Sequence, residues 1–139
     1  TEIMESIMEK KLGASLLLLR LGIFVVMLMW TLDKFLNPGH AGKIFSNFYG
    51  IEGLGSGLLT VVAALQMVVI IAFLFGALRR LSYGLVLAMH TVSTLSSWRQ
   101  YLDPFDNLLF FAAWPMLAAC IALYLLRDHD NLLSINKGK

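Results

Sequence analysis

Four apolar runs, each long enough to cross a bilayer, divide this 139-residue chain. They cover about 12–32, 57–78, 81–98 and 108–126. A helix needs about 20 such residues to span the hydrocarbon core. Backbone groups in lipid must bond within their own segment, so helices are the form that runs of this kind take. The sequence therefore predicts an all-α fold, an integral membrane four-helix bundle in one transmembrane domain over 1–139. Composition agrees: 58% of residues are hydrophobic and 14% charged, and mean hydropathy is +0.75. Soluble domains hold about 45–50% apolar and about 25% charged residues. The first run is read as a span and not as a signal peptide. It is too long for an h-region, contains Arg20 and lacks a small-x-small cleavage site.

Lys and Arg in the short connections set the orientation. One side carries Lys10, Lys11, Arg79, Arg80, Arg127, Lys137 and Lys139, and the other Lys34, Lys43 and Arg99. This bias predicts a multi-pass protein of the cell inner membrane with both termini in the cytoplasm. Before the first span, Ile3, Met4, Ile7, Met8 and Leu12 recur at helical spacing among Glu2, Glu5 and Glu9. That pattern suits an amphipathic interfacial segment or an extension of the first helix. The outer segment at 43–50 is rich in aromatics, which favour the membrane interface, and a short interfacial helix is expected there. The glycines at 53, 55 and 57 lack the preceding strand of a dinucleotide fingerprint and read as a flexible entry to the second helix.

Polar side chains inside a span need partners or a wet cavity. Counted from the cytoplasmic ends at ~1.5 Å per residue, Arg20, His90 and Gln66 lie about 12, 13 and 18 Å deep. Trp114 and Pro115 on the fourth helix fall at about 17–18 Å. These depths predict one central layer, a ligand-binding pocket lined by Arg20, Gln66, His90 and Trp114. Arg20 and Lys34 share a helix face, with Thr31 close to it. Tyr83, His90, Thr94 and Ser97 form a polar stripe on the third helix that should face the interior. The plainer reading is that Ser and Thr bond back to the backbone and that Gln66 and His90 join helices. At the outer mouth, Asp33, Lys34, Arg99 and Asp103 gather with Glu52 and Asp106, as a polar entrance or as solvated loop charge.

Several chemistries are disfavoured. Cys120 is the single cysteine, which excludes an intrachain disulfide or a CxxC pair. His90 is the one histidine inside a span, so haem held by two histidines of one subunit is not expected. No metal-ligand cluster and no nucleic-acid footprint is present in the sequence, and no catalytic residue can be assigned from it.

The first helix reads Leu19-Arg20-Leu21-Gly22 and then Asp33-Lys34-Phe35. The second has Gln66, Gly76 and Leu78-Arg79-Arg80. This spacing resembles the DoxX/DoxD-like family of small four-span membrane proteins. The sequence departs from that pattern at Gln66, where the family commonly has Glu, and at Thr31, where glycine is common. The resemblance implies a membrane subunit of a redox complex. Some DoxD-like proteins are subunits of thiosulfate:quinone oxidoreductases, so quinone is the ligand expected in the pocket. Membrane lipid and either further subunits or a second copy are the expected partners. A non-catalytic scaffold or accessory subunit anchoring a larger complex is the alternative, and a small-solute transporter a third.

The charge bias gives a direct test. In a Cys120→Ala background, a membrane-impermeant thiol reagent should label Asp103→Cys in intact cells and Lys139→Cys only after lysis. The reverse pattern would invert the topology.

Overall fold

The computed structural model describes residues 1–36 and 56–135 of the chain. The interfacial helix expected at 43–50, Glu52 and the glycines at 53 and 55 lie outside the described residues. What is described is all-helical, with no strand. α1 is Glu2–Leu36, α2 Ser56–Leu74 and α3 Arg79–Ser96. A short α4, Trp98–Tyr101, leads through 3-10 turns at Pro104–Asp106 and Leu108–Ala112 into α5, Ala113–Leu125. A last 3-10 turn, Arg127–His129, opens the C-terminal segment.

α1 packs against α2 and α5, and α3 packs against the same two, so the four longer helices close a ring. Two stretches, Glu2–Leu36 and Leu108–Leu125, are long and apolar enough to cross a membrane, and Thr60–Leu74 is apolar but shorter. α1 runs unbroken from Glu2, so the segment before the first apolar run extends the first helix. Ile3, Met4, Ile7 and Met8 there are exposed.

Periodicity explains which faces meet. On α1, Gly13, Leu16, Arg20, Ile23, Met27 and Thr31 are buried at steps of three and four residues. On α3 the buried set is Arg79, Ser82, Tyr83, Val86, His90 and Thr94. The interior is therefore unusually polar; Tyr83, His90 and Thr94 of the expected stripe turn inward, while Ser97 lies just past the helix and is half-buried. Several hydroxyls bond the carbonyl one turn back: Thr31 to Met27 (2.7 Å), Thr91 to Leu87 (2.7 Å) and Thr94 to His90 (2.8 Å). This is the plainer role read for them from sequence.

The α2–α3 turn depends on Gly76. Its φ is +66°, and an added Cβ would collide with the Ser134 side chain and approach Arg20 Nη1 to 3.3 Å. The C-terminal segment folds back beneath the helices to reach it, and the Ile135 N–H donates to the Phe75 carbonyl at 2.8 Å.

Gly76→Ala should cost about 2–4 kcal/mol, combining strained backbone with overpacking. Gly22→Ala meets nothing within 4 Å and should be neutral or stabilising. Thermal unfolding in mild detergent distinguishes the two. Equal melting temperatures would remove the argument for Gly76.

Candidate functional site

Two polar layers cross the interior. The lower one centres on Arg20, which is fully buried on α1. Its Nη1 lies 3.3 Å from the Asp130 carboxylate, itself fully buried, and 3.4 Å from the Tyr83 hydroxyl. Its Nη2 donates to the Leu132 (2.5 Å) and Leu133 (3.2 Å) carbonyls. Tyr83 in turn donates to Asp130 Oδ2 at 2.5 Å. Arg79, 2% exposed, directs Nη1 to the carbonyls of Arg127 (2.7 Å) and Asp130 (2.8 Å) and to Asn131 Oδ1 (3.2 Å). The C-terminal segment thus works as a strap. Arginines from α1 and α3 grip its backbone, and its one buried carboxylate answers their charge. Leu133 takes a positive φ of 48° to present its carbonyl to Arg20, a strain offset by a charge-assisted bond.

The upper layer holds His90, 1% exposed. Its Nε2 lies 3.0 Å from the Ala113 carbonyl, so that nitrogen carries the proton and donates, leaving Nδ1 a bare acceptor. Nδ1 is buried and has no partner among the described residues. The Trp30 ring stacks on the imidazole with centroids 6.1 Å apart. Beside it lies a partly enclosed cleft of about 70 Å³, lined by Met27, Trp30, Thr31, Lys34, Gln66, Ile70, Met89 and Ser93. Gln66 Oε1 is buried there without a hydrogen-bond partner among the described residues.

The four pocket residues expected from sequence therefore do not fall in one layer. Gln66 and His90 share the upper layer through Trp30, while Arg20 sits below with Tyr83. Seven residues of α3 separate Tyr83 from His90, a rise of ~10 Å. The sequence depths assumed that the helices start level at Leu12 and Leu81. Instead α1 begins at Glu2, and the Arg20–Tyr83–Asp130 contact fixes its register against α3.

Trp114 is 43% exposed, and its ring tilts against Tyr101 at 5.2 Å. Tyr101 donates to the Thr94 carbonyl at 2.9 Å. Burial pushes its phenol up, against a smaller downward pull from Ser97, which keeps it a neutral donor. Of the outer-mouth residues, Lys34 lines the cleft, the Arg99 guanidinium lies 5.3 Å over the Trp98 ring, and Asp103 is exposed, its carbonyl accepting from Asn107.

Comparison with known families, curated proteins and solved structures returned no match.

Asp130→Ala would leave Arg20 buried without its counter-charge and should cost about 3–5 kcal/mol. Arg20→Met combined with Asp130→Leu should recover most of that loss. A double-mutant cycle read by thermal unfolding checks both. Simple additivity of the single effects would show that the pair is not coupled.

Proposed function

We propose that this chain spans a membrane four times as a small subunit of a redox complex, and that the cleft at Gln66 receives a quinone head group. The membrane reading is supported by the inverted distribution of side chains. Leu18, Leu21, Val25 and Met29 on α1, Val61, Leu65 and Val68 on α2, and Val92 and Leu95 on α3 are exposed. Arg20, Arg79, His90, Thr94 and Asp130 are buried. Only 28% of the most apolar window of α1 and 11% of that in Leu108–Leu125 is covered by the protein, whereas a core helix of a soluble protein is mostly covered. Hydrocarbon is the solvent that suits such an exterior. The charge bias adds the cytoplasmic termini, and the DoxX/DoxD-like spacing of Arg20, Lys34, Gln66 and Gly76 adds the redox context.

One observation carries the ligand: an amide oxygen, Gln66 Oε1, buried and without a partner among the described residues, in a cleft of mixed lining. Trp30, Met27, Ile70 and Met89 offer apolar walls for a flat ring. Lys34, Ser93 and the Gln66 amide N–H are donors suited to a quinone carbonyl, and Gln66 Oε1 accepts from a quinol hydroxyl. A bound quinone would supply two-electron redox chemistry. The side chains bind and orient it. About 70 Å³ is less than the ~150 Å³ of a cavity that takes benzene. Entry of a ring therefore requires Met27 or Met89 to swing aside, which unbranched thioethers do readily.

The scaffold reading has its own support. The most elaborate polar construction, the Arg20–Asp130 strap, joins the chain to itself. A subunit of this kind would serve assembly without turnover.

A short-chain quinone analogue should quench tryptophan fluorescence of the purified protein, and Gln66→Leu should weaken binding by about tenfold, the worth of one hydrogen bond at ~1.4 kcal/mol. Trp98→Phe with Trp114→Phe isolates the Trp30 signal. Binding that is absent, or equal in wild type and Gln66→Leu, would remove the quinone reading and leave the scaffold. Extraction of the protein from membranes by alkaline carbonate would remove the membrane reading itself.

A further inference from the structure

The buried arginines outnumber their buried counter-charge. Arg20 and Arg79 keep their protons in any protein environment. Asp130 is the one buried carboxylate among the described residues. Among the described residues the cluster is left with one net positive charge in a region shut off from water, where an uncompensated ion is strongly unfavourable.

Arg79 shows where the missing anion would sit. All its hydrogen bonds leave from Nη1. Nε and Nη2 are buried and donate to nothing among the described residues. These two N–H groups run parallel along one edge of the planar guanidinium, the edge that takes two oxygens of a phosphate or carboxylate at once. The side chain is pinned by its other nitrogen, so the empty edge is held in place. The Ser134 hydroxyl, also buried and without a partner among the described residues, is a further donor in this layer. Arg79 opens α3, whose preceding residue, Leu78, makes no side-chain cap, and the positive end of the helix dipole adds to the potential there.

We propose that the free edge of Arg79 binds a phosphate group, from the head group of an acidic phospholipid or from free phosphate, and that this group completes the charge of the Arg20–Arg79–Asp130 cluster. The lipid source rests on the membrane reading above, which sets this end of the helices at the head-group level. That edge is buried, so the packing beside it opens to admit the ligand while the Nη1 contacts to residues 127–131 hold the guanidinium in place.

The test uses the full chain in neutral detergent and follows the apparent Tm. Phosphatidylglycerol is added in one arm, with diacylglycerol as the phosphate-free control. Inorganic phosphate is added in the other, against chloride at equal ionic strength. At about a hundredfold excess over Kd, Tm should rise by about 5–10 °C in wild type. Arg79→Lys keeps the charge but lacks the two-pronged edge, and the rise should vanish. Asp130→Asn removes the internal anion, so its rise should exceed that of wild type. This variant decides the matter if Arg79→Lys does not fold. A response to phosphatidylglycerol alone assigns the lipid, and a response to inorganic phosphate assigns the free ion. No rise in either arm, an equal rise in Arg79→Lys, or a response in Asp130→Asn no larger than wild type overturns the site. Carbonate extraction reports separately on the membrane reading. A protein that is released by carbonate and still responds to inorganic phosphate would keep the site and lose the bilayer.

Discussion

A guanidinium that cannot lose its proton, placed in the middle of an apolar helix, obliges the rest of the chain to answer it. Arg20 is fully buried, and the answer comes from the far end of the sequence: Asp130, with the carbonyls of Leu132 and Leu133. Those carbonyls reach it only because the strap turns back under the bundle and bends at Leu133. The strap passes close to the α2–α3 turn, and there glycine is needed at 76 for both its φ and its lack of a side chain. Tyr83 bridges to the same carboxylate and so sets the height of α3 against α1. One unavoidable charge thus fixes a turn, a tail and a helix register.

The upper layer inherits that register. With Tyr83 level with Arg20, two further turns of α3 bring His90 beside Trp30 and opposite the Ala113 carbonyl. The imidazole donates from Nε2, which leaves its other nitrogen an acceptor with no partner among the described residues. Gln66 faces the same level from α2. The lower layer is closed around the Arg20–Asp130 ion pair that holds the fold, although the Arg79 edge, Arg20 Nε, Asp130 Oδ1 and Ser134 Oγ have no partner among the described residues. The upper layer retains open hydrogen-bonding capacity and some space. A ligand site is better served by the second kind of environment, where binding need not first break an internal ion pair.

The helices were legible in the sequence because apolar runs of about 20 residues are a strong and local signal. So was the inward face of α3, since Tyr83, His90 and Thr94 repeat at helical spacing. That Arg20 must be inside and partnered followed from the cost of the alternative. Its partner was not legible. Asp130 lies beyond the last span in a segment with no periodicity, where a solvated loop charge is the default. Arg79 was hidden for a related reason. The charge bias places it among the loop cations, yet it is 2% exposed while Arg80 beside it is exposed. Nothing in a dipeptide of two arginines says which one turns inward. That depends on Leu78 entering α3 in the left-handed conformation. The polar groups do not form a single layer because the onset of hydrophobicity does not set helix register, whereas contacts such as Arg20–Tyr83–Asp130 do.

The placement of the ion pair also orders the events of folding. Arg20 belongs to the first helix, while the carbonyl its Nη2 meets at Leu132 is 112 residues later. A contact of such sequence separation forms late, because the loop-closure entropy of everything between must be met first. In the four-span reading, the strap emerges only after the last helix has entered the bilayer. Until then Arg20 has no counter-charge, and α1 has reason to keep it near the interface by snorkelling. The Asp130 contact would draw it inward and lock α1, α3 and the tail together in one step. A fold-back of this kind makes the final packing of the first helix conditional on the completion of the last.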